Sequence, residues 1–565
     1  MIRAPTLWAS TGRQVICTFV LIYLPLTAVS VFLARDTYFV QPMYEIGDFA
    51  AGALQVERAK HLSELVGNYS RFGFHHPGPA FFYVYALGEI VFRDLLHLTP
   101  APLNAHLLAG VLLQTAFLCL ALAVLAEVAN MDRRVFVVCA LSIALVFAGL
   151  VGNPAVEIWP PYQPVLAFAC LLAAAIAVAL GWAAVLPILV ACGSFLVHSH
   201  VAQPLFVLPV CAAAYLSLFV VRRRGPGLGF ARFLSATARP HAWTLAIAAP
   251  FALPLLLDAI RGPHSNFAVI LGFIGEGAPT STWGGAIFYV LSFLAFRGHG
   301  NSTTLDIAPA DRIAFLADSW PALVAWLAIL ILPTVLLLRR GHSVDATFGR
   351  VAGSPVSPRR FVATYYGFLA LGALLSLLWA KVQYGPPYAF NAFFINGLLY
   401  VAALPLAFLA AKIRVLASRL FLAGAAFLLL AVAINRPSPF AQVTTLGAAA
   451  GDDSARQLHQ SVVRFLSEQS NPPSAVLLEF PQQDWQQAIG VALVLQRSGV
   501  SYFVDSEWGF MFGYDHVYPG STVVADDYAI AHWSLAAPSA KVQDQVVLSE
   551  HIALVSSGHV DSPQE

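Results

Sequence analysis

The sequence predicts an all-α polytopic membrane protein of about eleven transmembrane helices, with a long first outer loop and a small C-terminal α/β soluble domain. Three observations predict it. Of 565 residues, 58% are hydrophobic and only 11% charged, and the mean hydropathy is +0.72, a composition that ordinary soluble chains do not have. Apolar runs of about 17 to 25 residues, enough to cross the hydrocarbon core, recur through the first 434 residues. Beyond residue 435 the charge changes: 14 acidic residues meet 5 basic ones, a net of −9 against +10 for the rest.

The same counts exclude some functions. A formal charge of +1 leaves no overall basic excess to hold a nucleic acid. The six cysteines, Cys17, Cys119, Cys139, Cys170, Cys192 and Cys211, lie in apolar runs without CxxC spacing, so they read as small core hydrophobes rather than a zinc ribbon or a disulfide framework.

The spans are expected near 14–34, 103–127, 135–152, 162–180, 182–198, 203–221, 242–259, 317–338, 361–380, 391–411 and 417–434. Arg3 and Arg13 precede the first, which reads as an uncleaved anchor with its N-terminus inside; cleavage after Ala28-Val29-Ser30 is the alternative. Two further apolar stretches, 77–96 and 284–296, are expected to lie in the membrane plane. Counting 77–96 as a crossing would put Arg133, Arg134 and Arg222 to Arg224 outside. Lying flat, it leaves 17 Lys/Arg inside and 9 outside, as the positive-inside rule prefers. An odd number of spans then places the acidic tail outside.

The first outer loop, residues 35–102, holds most of the candidate chemistry. Ile46 to Val66 has helical spacing, with Phe49, Ala53, Leu54, Leu62 and Leu65 on an imperfect apolar side, as in a helix at the membrane interface. Asp48 falls in its first turn, where a carboxylate serves either as a cap favoured by the helix dipole or as a catalytic group. Gly67 to Pro79 follows, carrying Asn68, Tyr69, Arg71, His75, His76 and Pro77, and opens into the aromatic run Phe81-Phe82-Tyr83-Val84-Tyr85. His75/His76 and His198/His200 lack a carboxylate at metal-ligand spacing, so a metal site is a weak reading of either pair. Within 77–96, Glu89 is expected to pair with Arg93, one turn on. Lys381, ending an apolar run before Val382-Gln383-Tyr384, either snorkels to the headgroups or binds substrate.

An outer first loop with an acidic residue soon after the first span, then a His-Pro boundary into an aromatic helix, resembles the multi-spanning glycosyltransferases of the GT-C superfamily, among them protein O-mannosyltransferases and lipid A aminoarabinose transferases. The resemblance extends through Asn153-Pro154 to Pro164, His198-Ser199-His200 and Leu256-Leu257-Asp258-Ala259-Ile260-Arg261, and covers most of the membrane part but not the tail. The sequence departs from the family pattern in two places: the acidic pair is Glu45 and Asp48 with a gap, and the His-Pro-Pro form appears as His76-Pro77-Gly78-Pro79. The resemblance implies transfer of a sugar from a polyprenyl-phosphate donor to a glycan, lipid or protein acceptor at the outer face of a bacterial cytoplasmic membrane. The lipid-linked sugar is a substrate, so no bound cofactor is implied; a divalent-metal requirement stays open.

Chemistry at that depth needs a base, cations for the departing phosphate and a groove for the lipid. Asp48 is the expected base, with Glu45 second, worth about 10² to 10⁴ in rate. Arg71, His75, His76, Arg261 and Lys381 are the expected phosphate cations. Tyr83 and Tyr384, with Tyr85 and Tyr388, are expected to line the site, and Asp258 joins the substrate-binding set through the resemblance. A transporter or lipid flippase is the first alternative, although no matching halves are visible. A noncatalytic membrane scaffold is the second.

In the tail, Ala475 to Phe480 reads as a strand, Asp484 as the cap of a helix to about Gln496, Ser498-Gly499 as a break and Val500 to Val504 as a second strand, together a βαβ unit. Thr522 to Ala525 and Gln545 to Val555 are expected to add strands. The domains are therefore expected at 1–434 and 435–565. The tail has no glycine-rich phosphate loop and no Ser/His/Asp signature, so docking or shielding is expected of it rather than its own catalysis.

The threading is checked by cysteine-accessibility labelling: positions beside Asp48 and Asp484 should label from outside, and Arg223 and Ser357 from inside. Cytoplasmic labelling of the tail would reverse the topology.

Overall fold

The computed structural model describes residues 5–129, 132–223, 229–261, 265–276, 281–298, 303–340, 349–351, 354–412, 453–469, 472–519, 530–538, 545–549 and 552–561. The chain divides into two compact units, residues 1–34 with 110–442, and 35–109 with 443–565. Residues 35–109 thus group with the C-terminal segment, whereas the sequence predicts the loop 35–102 to belong with the spans.

The first unit is helical. Eight helices among the described residues are long and apolar enough to cross a membrane: Gln14–Leu33, Pro102–Val128, Arg133–Val151, Pro160–Ala179, Gln203–Arg223, Ala238–Ala259, Pro309–Arg339 and Pro358–Val382. Two of the expected eleven fall short for local reasons. Ala183–Ser199 opens with a 3-10 turn after Gly181, whose φ of +110° ends the preceding helix, and Ile395–Ala411 breaks at Leu404 before Pro405. The expected span 417–434 lies outside the described residues. Trp283–Leu294, the core of the stretch 284–296, is a helix of 12 residues. Pro160–Ala179 is buried along its whole window and forms the centre. Small residues let its neighbours approach: a Cβ on Gly397 would lie 2.2 Å from the Val165 carbonyl oxygen. Strands β1 (Gly349–Val351) and β2 (Ser354–Val356) make a short antiparallel pair.

The second unit contains a five-stranded sheet of β3 (Ala475–Glu479), β4 (Ser501–Phe503), β5 (Ile530–Ala536), β6 (Gln545–Ser549) and β7 (Ile552–Asp561), in the order β4-β3-β5-β7-β6. β3 runs parallel to β4 and β5, and β7 antiparallel to β5 and β6. The expected βαβ unit is present, with helix Trp485–Arg497 between β3 and β4 and Gly499 turning at φ +76°. Asp484 stands at the N-cap position without making a side-chain cap bond. The expected run 545–555 contributes to two antiparallel strands, β6 and β7. Thr522 to Ala525 lies outside the described residues.

Helix Gly47–Lys60 from the first loop completes this domain's core. Its Ile46, Ala50, Ala51, Ala53 and Leu54 are buried with Leu458 and Val462 of helix Asp453–Glu468, with Ile489 and Leu493, and with Trp533 of β5. The approach is close because both sides are small: a Cβ on Gly490 would meet Ile46 Cγ2 at 3.1 Å. This corrects the expected interfacial helix over 46–66. The helix stops at Lys60, and Leu62, expected on its apolar side, has φ +57° and is 79% exposed. A core of sequence-remote helices accounts for the alanine-rich face better than a lipid surface does.

Residues 80–88 form an α-helix that continues as a π-helix over Glu89–Leu95. Glu89 is buried, but its near partners are Lys60 Nζ and His106 Nε2, each at 2.8 Å; Arg93, the expected partner, is 3.9 Å away. Burial raises the Glu89 carboxyl, and the His106 and Lys60 bonds and charges together outweigh it, holding it well below the usual carboxylate range.

The loop helix is tied to the domain by Arg497. Its Nη1 and Nη2 donate to Glu45 Oε2 and Oε1 at 3.0 Å, and its Nε donates to Glu57 Oε1 at 2.9 Å. Replacing Arg497 with Met strands the buried Glu45 carboxylate and leaves Glu57 with Lys60. We expect Arg497→Met to cost about 3 to 5 kcal/mol, and Glu45→Gln in the same chain to restore part of it, both read by denaturant unfolding of the purified full chain.

Candidate functional site

The candidate site grows from the first turn of the loop helix. Asp48 is half-buried there, and its Oδ1 accepts a hydrogen bond from the Tyr69 hydroxyl. Ile46 occupies the N-cap position, and Asp48 stands in the first turn, where the helix dipole favours a carboxylate. Burial raises the Tyr69 phenol well above its ordinary range, and the Asp48 charge adds to the effect. The phenol therefore stays protonated and donates.

Tyr69 is held by a small hairpin. Gly67 N donates to His76 O at 2.8 Å, His76 N to Asn68 O at 2.7 Å and Ser70 N to Phe74 O at 2.7 Å, with Tyr69 and His75 paired antiparallel. Gly73, at φ +80°, makes the turn, and Gln55 Nε2 binds the Gly67 carbonyl at 2.8 Å to anchor the base. The density of Gly, Asn, Ser and Pro in 67–79 serves this turn. The exposed tip places the Arg71 guanidinium over the Phe72 ring at 5.0 Å.

The C-terminal segment supplies the other wall. Trp485 and Phe510 meet the Tyr69 ring edge to face, at 6.5 and 6.0 Å between centroids. Neither was singled out from the sequence, and no local motif marks them; nor was Arg497, whose partners Glu45 and Glu57 lie some 440 or more positions away.

The expected site residues fare differently. Glu45 is buried and held bidentately by Arg497, which makes it structural rather than a second base. His75 is buried beside Arg58; burial first, and then that charge, push it down to about 3 despite a bond to the Phe510 backbone. A neutral imidazole does not suit the expected role of a phosphate cation. His76 is half-buried and contributes its backbone to the hairpin. Tyr83 donates to the Glu64 carbonyl at 2.8 Å, which fixes the aromatic helix to the loop.

In the first unit, Asp258 is buried, with its two carboxylate oxygens accepting from Asn266 N at 3.2 Å and Phe267 N at 3.1 Å. It caps helix Asn266–Glu276. Arg261 is exposed just beyond helix Ala238–Ala259. Lys381 is half-buried in the last turn of Pro358–Val382, and Tyr384 packs on Phe273 at 4.9 Å and donates to Ile274 O at 3.4 Å. No group of three or more His, Cys, Asp or Glu arranged to hold a metal occurs among the described residues. Neither family models, nor curated proteins, nor solved structures give any match to this chain.

His75 gives the second unit a pH dependence. Its folded value lies below the unfolded one near 6.5, so the unfolded chain binds the extra proton. The stability it contributes is complete above about pH 6.5 and is lost as pH falls toward about 3. Burial lowers His459 and His516 as well, with the same sign. We expect His75→Gln to remove about one proton, roughly 1.4 kcal/mol per pH unit, from the slope of unfolding free energy between about pH 6 and 5.

Proposed function

We propose that this chain is an integral membrane glycosyltransferase that moves a sugar from a polyprenyl-phosphate donor to an acceptor hydroxyl on the outer face of a bacterial cytoplasmic membrane. The observation that carries the reading is the Asp48 carboxylate, half-buried in the first turn of the loop helix and bonded to the Tyr69 hydroxyl. Asp48 takes the proton of the acceptor hydroxyl. The hydroxyl oxygen attacks the anomeric carbon, the bond to the phosphate oxygen breaks, and the lipid phosphate leaves with the electron pair, inverting the centre. Arg71 and His76, in the same unit as Asp48, are the side chains proposed to stabilise that phosphate. The GT-C-like sequence features and the eight long apolar helices support the reading.

A noncatalytic scaffold is the second reading, favoured by a specific observation: the loop's other carboxylates are engaged structurally, Glu45 and Glu57 with Arg497, and Glu64 with Arg58.

The deciding comparison is Asp48→Asn. The amide keeps the shape and can still accept from Tyr69, but it cannot take a proton. We expect Asp48→Asn to fold as the native chain does and to lose about 10² to 10⁴ in the rate of label transfer from a radiolabelled polyprenyl-phosphate sugar. Transfer near the native rate in the folded variant would remove Asp48 as the base and favour the scaffold.

A further inference from the structure

We propose that the rim around Asp48 is a carbohydrate-binding platform, on which Trp485, Phe510 and Tyr69 receive the C–H face of an uncharged pyranose while Asp48 accepts from its hydroxyls.

The rings come from two remote parts of the chain and converge on one carboxylate. Tyr69 stands edge to face with both Trp485 and Phe510, and its hydroxyl is bonded to Asp48. All three rings are half-buried, whereas the domain's core is filled by the fully enclosed Trp533, Tyr502 and Phe512. The half-buried rings pack on the edge of that core and leave part of their surface outside it. Tyr514, 61% exposed, extends the aromatic surface along the hairpin, its hydroxyl reaching the Gly73 carbonyl at 3.5 Å.

A pyranose matches this pairing. Its axial C–H bonds present an electropositive, apolar face to the negative face of a ring, and its hydroxyls donate to a carboxylate. Other flat or amphipathic ligands fit less well. A nucleobase stacks on the same rings but presents fewer hydroxyl donors to the Asp48 carboxylate than a pyranose does. A hydrocarbon chain offers no donor, and would cover the Asp48 carboxylate without replacing the water it displaces. A sugar held here would be the acceptor of the transfer reaction, an identification that rests on the function proposed above; the binding itself does not.

The test is saturation-transfer NMR on the purified full chain in detergent, irradiating aromatic protons in the presence of methyl α-D-mannopyranoside, methyl β-D-glucopyranoside or methyl β-D-galactopyranoside. Saturation should reach the ring C–H protons of at least one glycoside. The affinity should fall about tenfold in Trp485→Ala, the loss of one stacking contact, and recover in Trp485→Phe, which keeps a ring face. Phe510→Ala gives a second probe should Trp485→Ala fail to fold, with folding followed by thermal unfolding of each variant. No saturation of any of the three glycosides by the native chain, or saturation undiminished in the folded Trp485 and Phe510 variants, would overturn the platform. Ring-dependent binding together with unimpaired sugar transfer by Asp48→Asn would keep the platform and remove the acceptor assignment.

Discussion

The arrangement of the second unit depends on one guanidinium. Arg497 closes helix Trp485–Arg497 and binds Glu45 with two nitrogens and Glu57 with the third. Arginine is suited to this because its planar fork meets a carboxylate with two parallel bonds and keeps a further donor for the second. Burial alone disfavours the charge; the Glu45 and Glu57 charges and bonds reverse that and raise the guanidinium above its ordinary value. The last turn of a helix also favours a cation electrostatically. Two carboxylates and one guanidinium enclosed together cannot be separated cheaply, so the network fixes where the loop helix lies against the domain.

Several features follow from that placement. With Glu45 and Glu57 pinned, the face between them, Ala50, Ala53 and Leu54, enters the domain core. Asp48 is carried to the side where Trp485 lies, and a Cβ on Gly47 would touch Gln486 Cγ at 3.4 Å. The hairpin 67–76 then needs only the Gln55 bond to Gly67 and the Tyr69 bond to Asp48 to come into register with the helix. A short ionic contact thus organises both the backbone of the loop and the aromatic rim.

Much of the helical unit was legible in the sequence because burial in lipid or in a helical bundle leaves long apolar runs, and the eight long helices fall where those runs are. The βαβ unit was legible for a similar reason, since alternating apolar runs and a Ser-Gly break are local signals. What was not legible was remote pairing. Nothing near Ile46 to Lys60 states that its apolar face meets residues some 400 positions later, so the alanine-rich stripe was assigned to a membrane surface. β5 was not singled out, although Ala531, Trp533 and Leu535 alternate with His532 and Ser534 as strand residues do and the strand sits in the middle of the sheet. At the candidate site, Asp48 and Tyr69 lay in segments that sequence reading singled out, while Trp485, Phe510 and Arg497 have no local signature at all.

The contrast between Glu45 and Asp48 shows how environment separates two like groups three residues apart. Both are carboxylates at the start of one helix, and sequence alone ranked them as alternatives. Glu45 has both oxygens on a guanidinium, so protonating it would leave Arg497 buried with its charge only partly balanced by Glu57. Glu45 is held on both oxygens and serves as structure. Asp48 is bonded to a neutral phenol, which orients the carboxylate without neutralising it. Arg58 pairs with Glu64, Lys60 with Glu57 and Glu89, and Arg497 with Glu45 and Glu57. The two carboxylates thus differ in the group that holds them, a guanidinium for Glu45 and a phenol for Asp48.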